Sequence, residues 1–303
     1  MDNLSTAGLM NHFANRTALG ITLTVASYAM FSLHYATMKW LGGSYSLWQL
    51  IFARSVVMLS ITLLLGRGKT IQAFLVSPYK LPTALRGVLQ FLSALCFYIA
   101  AASMPLANVT TLYSTAPLII VLLSISLLGE RIQGFHWIAV LVGLLGTIIA
   151  ANPGQGVSFI PSLIALGSGL FWALTVVFTR KSGARESSDV QMLNTSMVFL
   201  CLSAGFMHWK SPSDLFHWAM LMCIGLQIYL AQLLFFEACR FAPASLVGPL
   251  EYSSVGWACL FGFLMFADVP TAPVILGGVL VIISGVALAI GSRRVTPSLT
   301  EPL

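Results

Sequence analysis

Charge is what this chain has least of. Asp, Glu, Lys and Arg together make up 8% of its 303 residues, against roughly 25% in soluble domains. So few charges cannot cover a water-facing surface, which excludes a soluble enzyme or regulatory module as the bulk of the molecule. Catalytic signatures are missing as well. No HExxH or GxSxG occurs, so the zinc and serine chemistries those motifs support have no foothold. Asp189, Asp214 and Asp268 all fall near the ends of apolar runs, not in the paired mid-membrane placement of an aspartyl protease. The GxxxxGK[ST] phosphate loop is absent, so hydrolysis of ATP by this chain is not expected. Cysteine is scarce too: Cys96, Cys201, Cys223, Cys239 and Cys259 lack CxxC spacing and read as small buried apolar side chains. No metal, no cofactor and no nucleic-acid partner is expected.

What is abundant is apolar sequence: 58% hydrophobic residues and a mean hydropathy of +0.90. About ten runs approach the ~20 residues needed to cross a ~30 Å hydrocarbon layer. They lie at 17–40, 46–65, 81–103, 106–128, 134–151, 159–180, 190–209, 215–239, 244–266 and 271–291. The expected fold class is an all-α polytopic membrane protein in contact with lipid. Residues 1–16 are polar and lack the basic start and small-residue cleavage site of a signal peptide, so the first run is read as a retained helix.

The net charge of +6 reports topology. With the N-terminus inside, the inner side collects Arg16, Arg67, Lys69, Lys80, Arg86, Arg131, Arg180, Lys181, Arg185, Arg240, Arg293 and Arg294. The outer side keeps Lys39 and Lys210, and Arg54 falls within a run. Twelve against two is the positive-inside pattern, with both termini cytoplasmic.

The chain also repeats itself. Ala102-Ser103-Met104-Pro105-Leu106-Ala107 joins two apolar runs, and 138 positions later Arg240-Phe241-Ala242-Pro243-Ala244-Ser245 does the same. Gly87 and Gly225 share that offset, Phe31-Ser32 and Trp172-Ala173 lie 141 apart together with Lys39 and Arg180, and Gln49 and Gln191 lie 142 apart. The uncharged turn cluster Asn152-Pro153-Gly154-Gln155-Gly156 separates the halves. Five spans per half force the second half to enter the bilayer inverted, an arrangement that places a site where the halves meet. Pro105 and Pro243 start the fourth and ninth helices, where a missing N–H costs nothing. Ala139, Gly143 and Gly146 on the fifth helix, with Gly278 and Gly285 on the tenth, give small faces for close helix packing.

These features, with the Leu128-Gly129-Glu130 ending of the fourth helix, resemble the drug/metabolite transporter superfamily, EamA type, from about Arg16 to Arg294. The resemblance implies two inverted five-helix repeats, at 17–151 and 159–291. A cytoplasmic segment at 1–16, a periplasmic linker at 152–158 and a cytoplasmic tail at 292–303 complete the chain. It also implies a secondary transporter of the bacterial inner membrane, exporting amino acids, aromatic or otherwise apolar ones, and related metabolites, and working as a monomer. A different metabolite or drug, an intramembrane enzyme and a channel are the alternatives. In the second half Asp268 stands where the first has Glu130, and Val255 where it has Pro117.

An intramembrane charge costs at least ~2.5–3.5 kcal/mol and needs a reason. Glu251, beside Pro249 and Tyr252 in the ninth run, is a carboxylate for a substrate amino group or a coupling proton, or else a structural partner for another helix. Arg54 suits a substrate carboxylate or braces the second helix. Lys39 and Arg180 sit at opposite mouths as gating or anchoring residues. Gln90, Tyr98, Ser114, Gln227, Gln232 and Tyr252 are candidate substrate-binding polar groups, since a buried amide must find partners. His34 is a hydrogen-bonding residue or a proton relay, and Trp172 is a surface for an aromatic or apolar side chain. Glu237 and Arg240 are spaced to pair within one helix.

Overall fold

The computed structural model describes residues 3–66, 69–103, 109, 112–113, 115–129, 134–151, 159–183, 186–266 and 272–293. Among them there is no strand. The first repeat comprises α1 (Asn3–Gly42), α2 (Leu47–Gly66), the short α3 (Lys69–Val76), α4 (Lys80–Ser103), α5 (Ala116–Leu128) and α6 (Gly134–Ala151). The second comprises α7 (Phe159–Gly183), α8 (Ser188–Ala204), α9 (Leu215–Phe241), α10 (Ala244–Leu250), α11 (Ser253–Phe266) and α12 (Ala272–Arg293).

Helix is the only open structure that satisfies every backbone group inside hydrocarbon, and the apolar runs comply. Among the described residues, five stretches are long and apolar enough to span: Arg16–Gly42, Leu47–Gly66, Lys80–Ala100, Phe159–Lys181 and Leu215–Phe241. Ala116–Leu128 and Gly134–Gly146 are shorter apolar helices. Ends are set by side chains. Ser187 Oγ caps α8 by accepting from Val190 N, and Asp214 Oδ1 caps α9 by accepting from His217 N at 2.9 Å. Gly129 ends α5 in the left-handed conformation (φ 66°), its N–H reaching the Ile125 carbonyl at 3.2 Å.

The ninth run differs from the single span 244–266 that hydropathy predicts. It is two helices, α10 and α11, separated by turns at Glu251 and Tyr252. Pro249 supplies no N–H, and the chain closes the gap with tighter bonds, from Glu251 N to Gly248 O (2.9 Å) and Tyr252 N to Pro249 O (3.2 Å). The first half has a turn close to the matching place, at Thr115, whose N–H reaches the Leu112 carbonyl at 3.2 Å.

Packing follows the repeat. The α1–α9 contact has its counterpart in α4–α7, α1–α11 in α5–α7, and α2–α9 in α4–α8, while α2–α8 and α6–α12 pair with themselves. One pair of hydrogen bonds fixes the registers. Ser27 Oγ on α1 donates to Ala231 O on α9 at 2.8 Å, and Ser168 Oγ on α7 donates to Ser93 O on α4, also at 2.8 Å. Ser168 is Ser27 shifted by 141, and Ala231 is Ser93 shifted by 138, the offsets already read from the sequence. Gly87 and Gly225 likewise do equivalent work. A Cβ on Gly87 would lie 3.0 Å from Asn194 and 3.2 Å from Val198 on α8, and one on Gly225 only 2.3 Å from Val57 on α2. The small face of α6 meets α12, with Ser284 Oγ donating to Ala139 O at 2.6 Å.

Candidate functional site

The axis relating the halves runs through a box of aromatic rings. Phe31 on α1 and its repeat mate Trp172 on α7 meet edge-on, with centroids 6.2 Å apart. Phe235 on α9 lies 5.5 Å from Trp172 and 6.3 Å from Phe31, and Tyr28 on α1 closes the box at 6.1 Å from Phe31. All four rings are buried.

Glu251 points into this box. The α10–α11 break carries it there, so its carboxylate approaches with its own backbone bent away from regular helix. Trp172 Nε1 donates to Glu251 Oε2 at 2.8 Å, and the Tyr28 hydroxyl donates to the same oxygen at 3.5 Å. The Tyr113 hydroxyl also reaches the carboxylate. Tyr113 is Glu251 shifted back by 138, so a second pair of repeat mates touches at the axis. A carboxylate 5% exposed, supplied with neutral donors and no cation, retains capacity for a positive ligand group.

A buried cationic group lies on α2. Arg54 on α2 is buried, sits 3.0 Å from His34 Nε2 and lays its guanidinium over Phe199 at 4.9 Å. No carboxylate pairs with it among the described residues. Arg54, Ser55, Met58, Thr195, Ser196, Phe199, Ile228 and Gln232 surround a cavity of about 10 Å³, the size of roughly one water. A larger groove of about 610 Å³ between α1, α9 and Trp257 of α11 is apolar apart from Thr22 and lies away from these polar groups.

The other expected residues separate. Gln232 joins the Arg54 cavity. Gln90 Oε1 accepts from Arg86 at 3.3 Å, and Gln227 Nε2 donates to Thr37 at 3.1 Å, both bonds that join polar side chains within the bundle. Tyr252 turns away from the box, toward Gly143 on α6, where an added Cβ would lie 2.3 Å from its ring. Tyr98 is half-buried next to Phe97, with centroids 6.1 Å apart. Lys39 is exposed and lies 4.5 Å from the Phe266 ring, whereas Arg180 donates to the carbonyls of Cys239 (2.5 Å) and Arg240 (3.1 Å). Glu237 and Arg240 form the anticipated pair at 3.0 Å. Ser114 lies outside the described residues.

Two departures from the two-fold show which mouth is shut. At the face that α1 enters, α7 packs on α9, Arg180 ties the two together, and a Cβ on Gly20 would touch Ala242 at 2.7 Å. At the opposite face the mates α1 and α4 make no comparable helix contact among the described residues. There the Tyr35 and Phe97 rings stack with centroids 6.3 Å apart; Tyr35 is 49% exposed although its mate Val176 is fully buried, and Phe97 is half-buried although its mate Phe235 is buried.

Sequence reading missed Tyr28, Tyr113, Phe235 and Arg86. Arg86 was assigned to the inner surface; it is instead wholly buried, 4.8 Å above the Phe236 ring. Its position six residues into α4 was the available signal, since ~1.5 Å per residue puts it well inside the bilayer.

An inverted pair of helical repeats, closed at one mouth and holding a polar site on its axis, defines a membrane transporter. Residues 18–152 and 159–290 both match the EamA-like transporter family. The chain belongs to that family, within the drug/metabolite transporter superfamily, and moves solutes across a membrane; it is not an enzyme. It is 28% identical over 276 residues to the pseudopaline exporter CntI of Pseudomonas aeruginosa, spanning 89% of this chain and 95% of that protein. It is 26% identical over 302 residues to an uncharacterized transporter of Helicobacter pylori (91% and 96% covered). With a riboflavin transporter of Vibrio cholerae it shares 26% over 182 residues, or 59% and 61% of the two chains. A solved crystal structure shares the fold at a TM-score of 0.75 and 18% identity, over 92% of this chain and 98% of that one.

Proposed function

We propose that this transporter exports amino acids, aromatic or otherwise apolar ones above all, and related small metabolites across the bacterial inner membrane. It works as a monomer by alternating access, with both termini in the cytoplasm. The observation that carries the reading is the unpaired Glu251 carboxylate inside the ring of Tyr28, Phe31, Trp172 and Phe235. An amino acid needs an anion for its ammonium group, a cation for its carboxylate and an apolar wall for its side chain. Glu251, Arg54 held by His34, and the four rings supply those three things. The inner-membrane orientation rests on the excess of basic residues at the face that α1 enters, and the export direction on the likeness to CntI. Energy comes from the substrate gradient, from exchange or from a proton carried by Glu251.

The test is uptake of a radiolabelled amino-acid panel by proteoliposomes, with and without an imposed pH gradient. Saturable flux of phenylalanine, tyrosine or tryptophan, with counterflow, supports the reading, and an inert panel refutes it. Riboflavin belongs in the same panel, because a box of flat rings accepts any flat solute and the Vibrio cholerae relative bears that name.

A further inference from the structure

Arg86 has no part in the Glu251 box, yet it is the largest wholly buried side chain among the described residues. Its surroundings are polar and incompletely paired. One terminal nitrogen donates to Gln90 Oε1 at 3.3 Å; the other donates to Gln191 O at 3.0 Å and Thr195 Oγ1 at 2.5 Å. Its Nε, both polar atoms of the Gln191 amide and the Asn194 Oδ1 are buried without a partner. No carboxylate pairs with it among the described residues, where Arg240–Glu237 and His217–Asp214 are the ion pairs. A buried guanidinium with unused donors and no counter-ion is costly unless an anion visits it.

The two-fold shows that the fold itself does not need this cation. Arg86 shifted by 138 is Ile224, fully buried in an apolar cluster with Leu50, Ala53 and Leu221. The same junction between helices is built there without charge. In the first repeat the guanidinium is an addition to a position that packs well when apolar.

Its place along the path is informative. Phe236, on which Arg86 rests, lies three residues before Cys239, whose carbonyl receives Arg180 at the shut mouth. Thr195 touches Arg86 and also lines the Arg54 cavity. The two guanidiniums thus flank one segment of α8, with Arg86 toward the closed face and Arg54 toward the opposite one.

We infer that Arg86, with Gln90, Gln191 and Thr195, is a second binding position for the carboxylate of the transported solute. It is sealed in the present conformation and is reached when the mouth tied by Arg180 opens. The inference rests on the amino-acid reading for the identity of the anion; its test does not depend on flux. Melting of the purified protein in detergent is followed during titration with L-phenylalanine and with L-phenylalaninamide, which lacks the carboxylate.

The unmodified protein should prefer the acid by about tenfold in apparent affinity, the scale of one charge-assisted hydrogen bond. Arg86→Lys should keep part of that preference as a point charge. Arg86→Met, which copies the apolar character of the Ile224 position, should fold and lose the part of the preference that Arg54 does not supply. Arg54→Gln, titrated in parallel, should keep the part that belongs to Arg86, and the double variant should respond equally to acid and amide. Equal response to acid and amide in the unmodified protein overturns the inference, and so does a preference left unchanged by Arg86→Met in the Arg54→Gln background. An inert flux panel beside a preference reduced by Arg86→Met would refute amino-acid export and leave the anion position standing.

Discussion

Replacing Glu251 by Gln tests the site with little change in shape. The carboxylate accepts from Trp172 at 2.8 Å and from Tyr28 at 3.5 Å. A glutamine keeps one carbonyl oxygen for the shorter bond and gives up the charge, so folding stability should change by no more than about 1 kcal/mol. What is lost is the contact with a ligand ammonium group. A hydrogen bond to a charged partner contributes ~1.5–3 kcal/mol, and tenfold in affinity corresponds to about 1.4 kcal/mol. The half-saturating concentration for amino-acid flux should therefore rise roughly 10- to 100-fold. If Glu251 also carries the coupling proton, the response of flux to an imposed pH gradient should vanish in the same variant. The assay is concentration-dependent uptake into proteoliposomes, with melting temperature as the control for folding. A half-saturating concentration within about twofold of the original, with the pH response intact, would remove Glu251 from the site.

Three further outcomes follow from the geometry. Ser27→Ala and Ser168→Ala each delete one of the two repeat-related bonds and should destabilise by similar amounts. Interhelical bonds in membranes average ~0.6 kcal/mol, readable as matched losses in melting temperature; a loss confined to one variant would contradict the equivalence. Gly225→Ala drives a methyl group into Val57 at 2.3 Å and should cost about 1–3 kcal/mol as overpacking. Gly43→Ala, with nothing nearer than 3.9 Å, should leave melting unchanged. Trp172→Phe keeps the ring packing against Phe31 and Phe235 but removes the donor to Glu251. It should change the pH response of flux more than the preference among aromatic solutes, which competition within the panel would measure.

Much of the architecture was legible because a duplicated helix keeps its spacing. The offsets of 138 and 141 make Ser168 the mate of Ser27 and Ala231 the mate of Ser93, but which of these meet across helices depends on helix crossing and is not readable from spacing. Glu251 stood out because charge inside an apolar run is expensive, and Pro249 beside it signalled a disturbed helix, though not a complete break. The partners of Glu251 were illegible for a physical reason. Tyr28 and Phe235 are aromatic residues on apolar helices, and which of them meets a carboxylate depends on how α1 and α9 cross. Arg86 was lost to the positive-inside count, since a basic residue near a helix start looks the same whether it turns to the headgroups or into the bundle. Gln227 keeps both readings: its Nε2 donates to Thr37 across a helix contact, while its Oε1 is buried without a partner.

The account depends on one mouth having to open for solute to pass, and a cross-link at that mouth tests it most directly. Gly20→Cys and Ala242→Cys, in a chain whose five native cysteines are replaced, place two thiols where α1 meets the turn between α9 and α10. The ideal Cβ separation of 2.7 Å needs to widen by about 1 Å to suit a disulfide. Counterflow in proteoliposomes should stop on oxidation and return on reduction. Counterflow that continues at full rate through quantitatively cross-linked protein would contradict alternating access through this mouth.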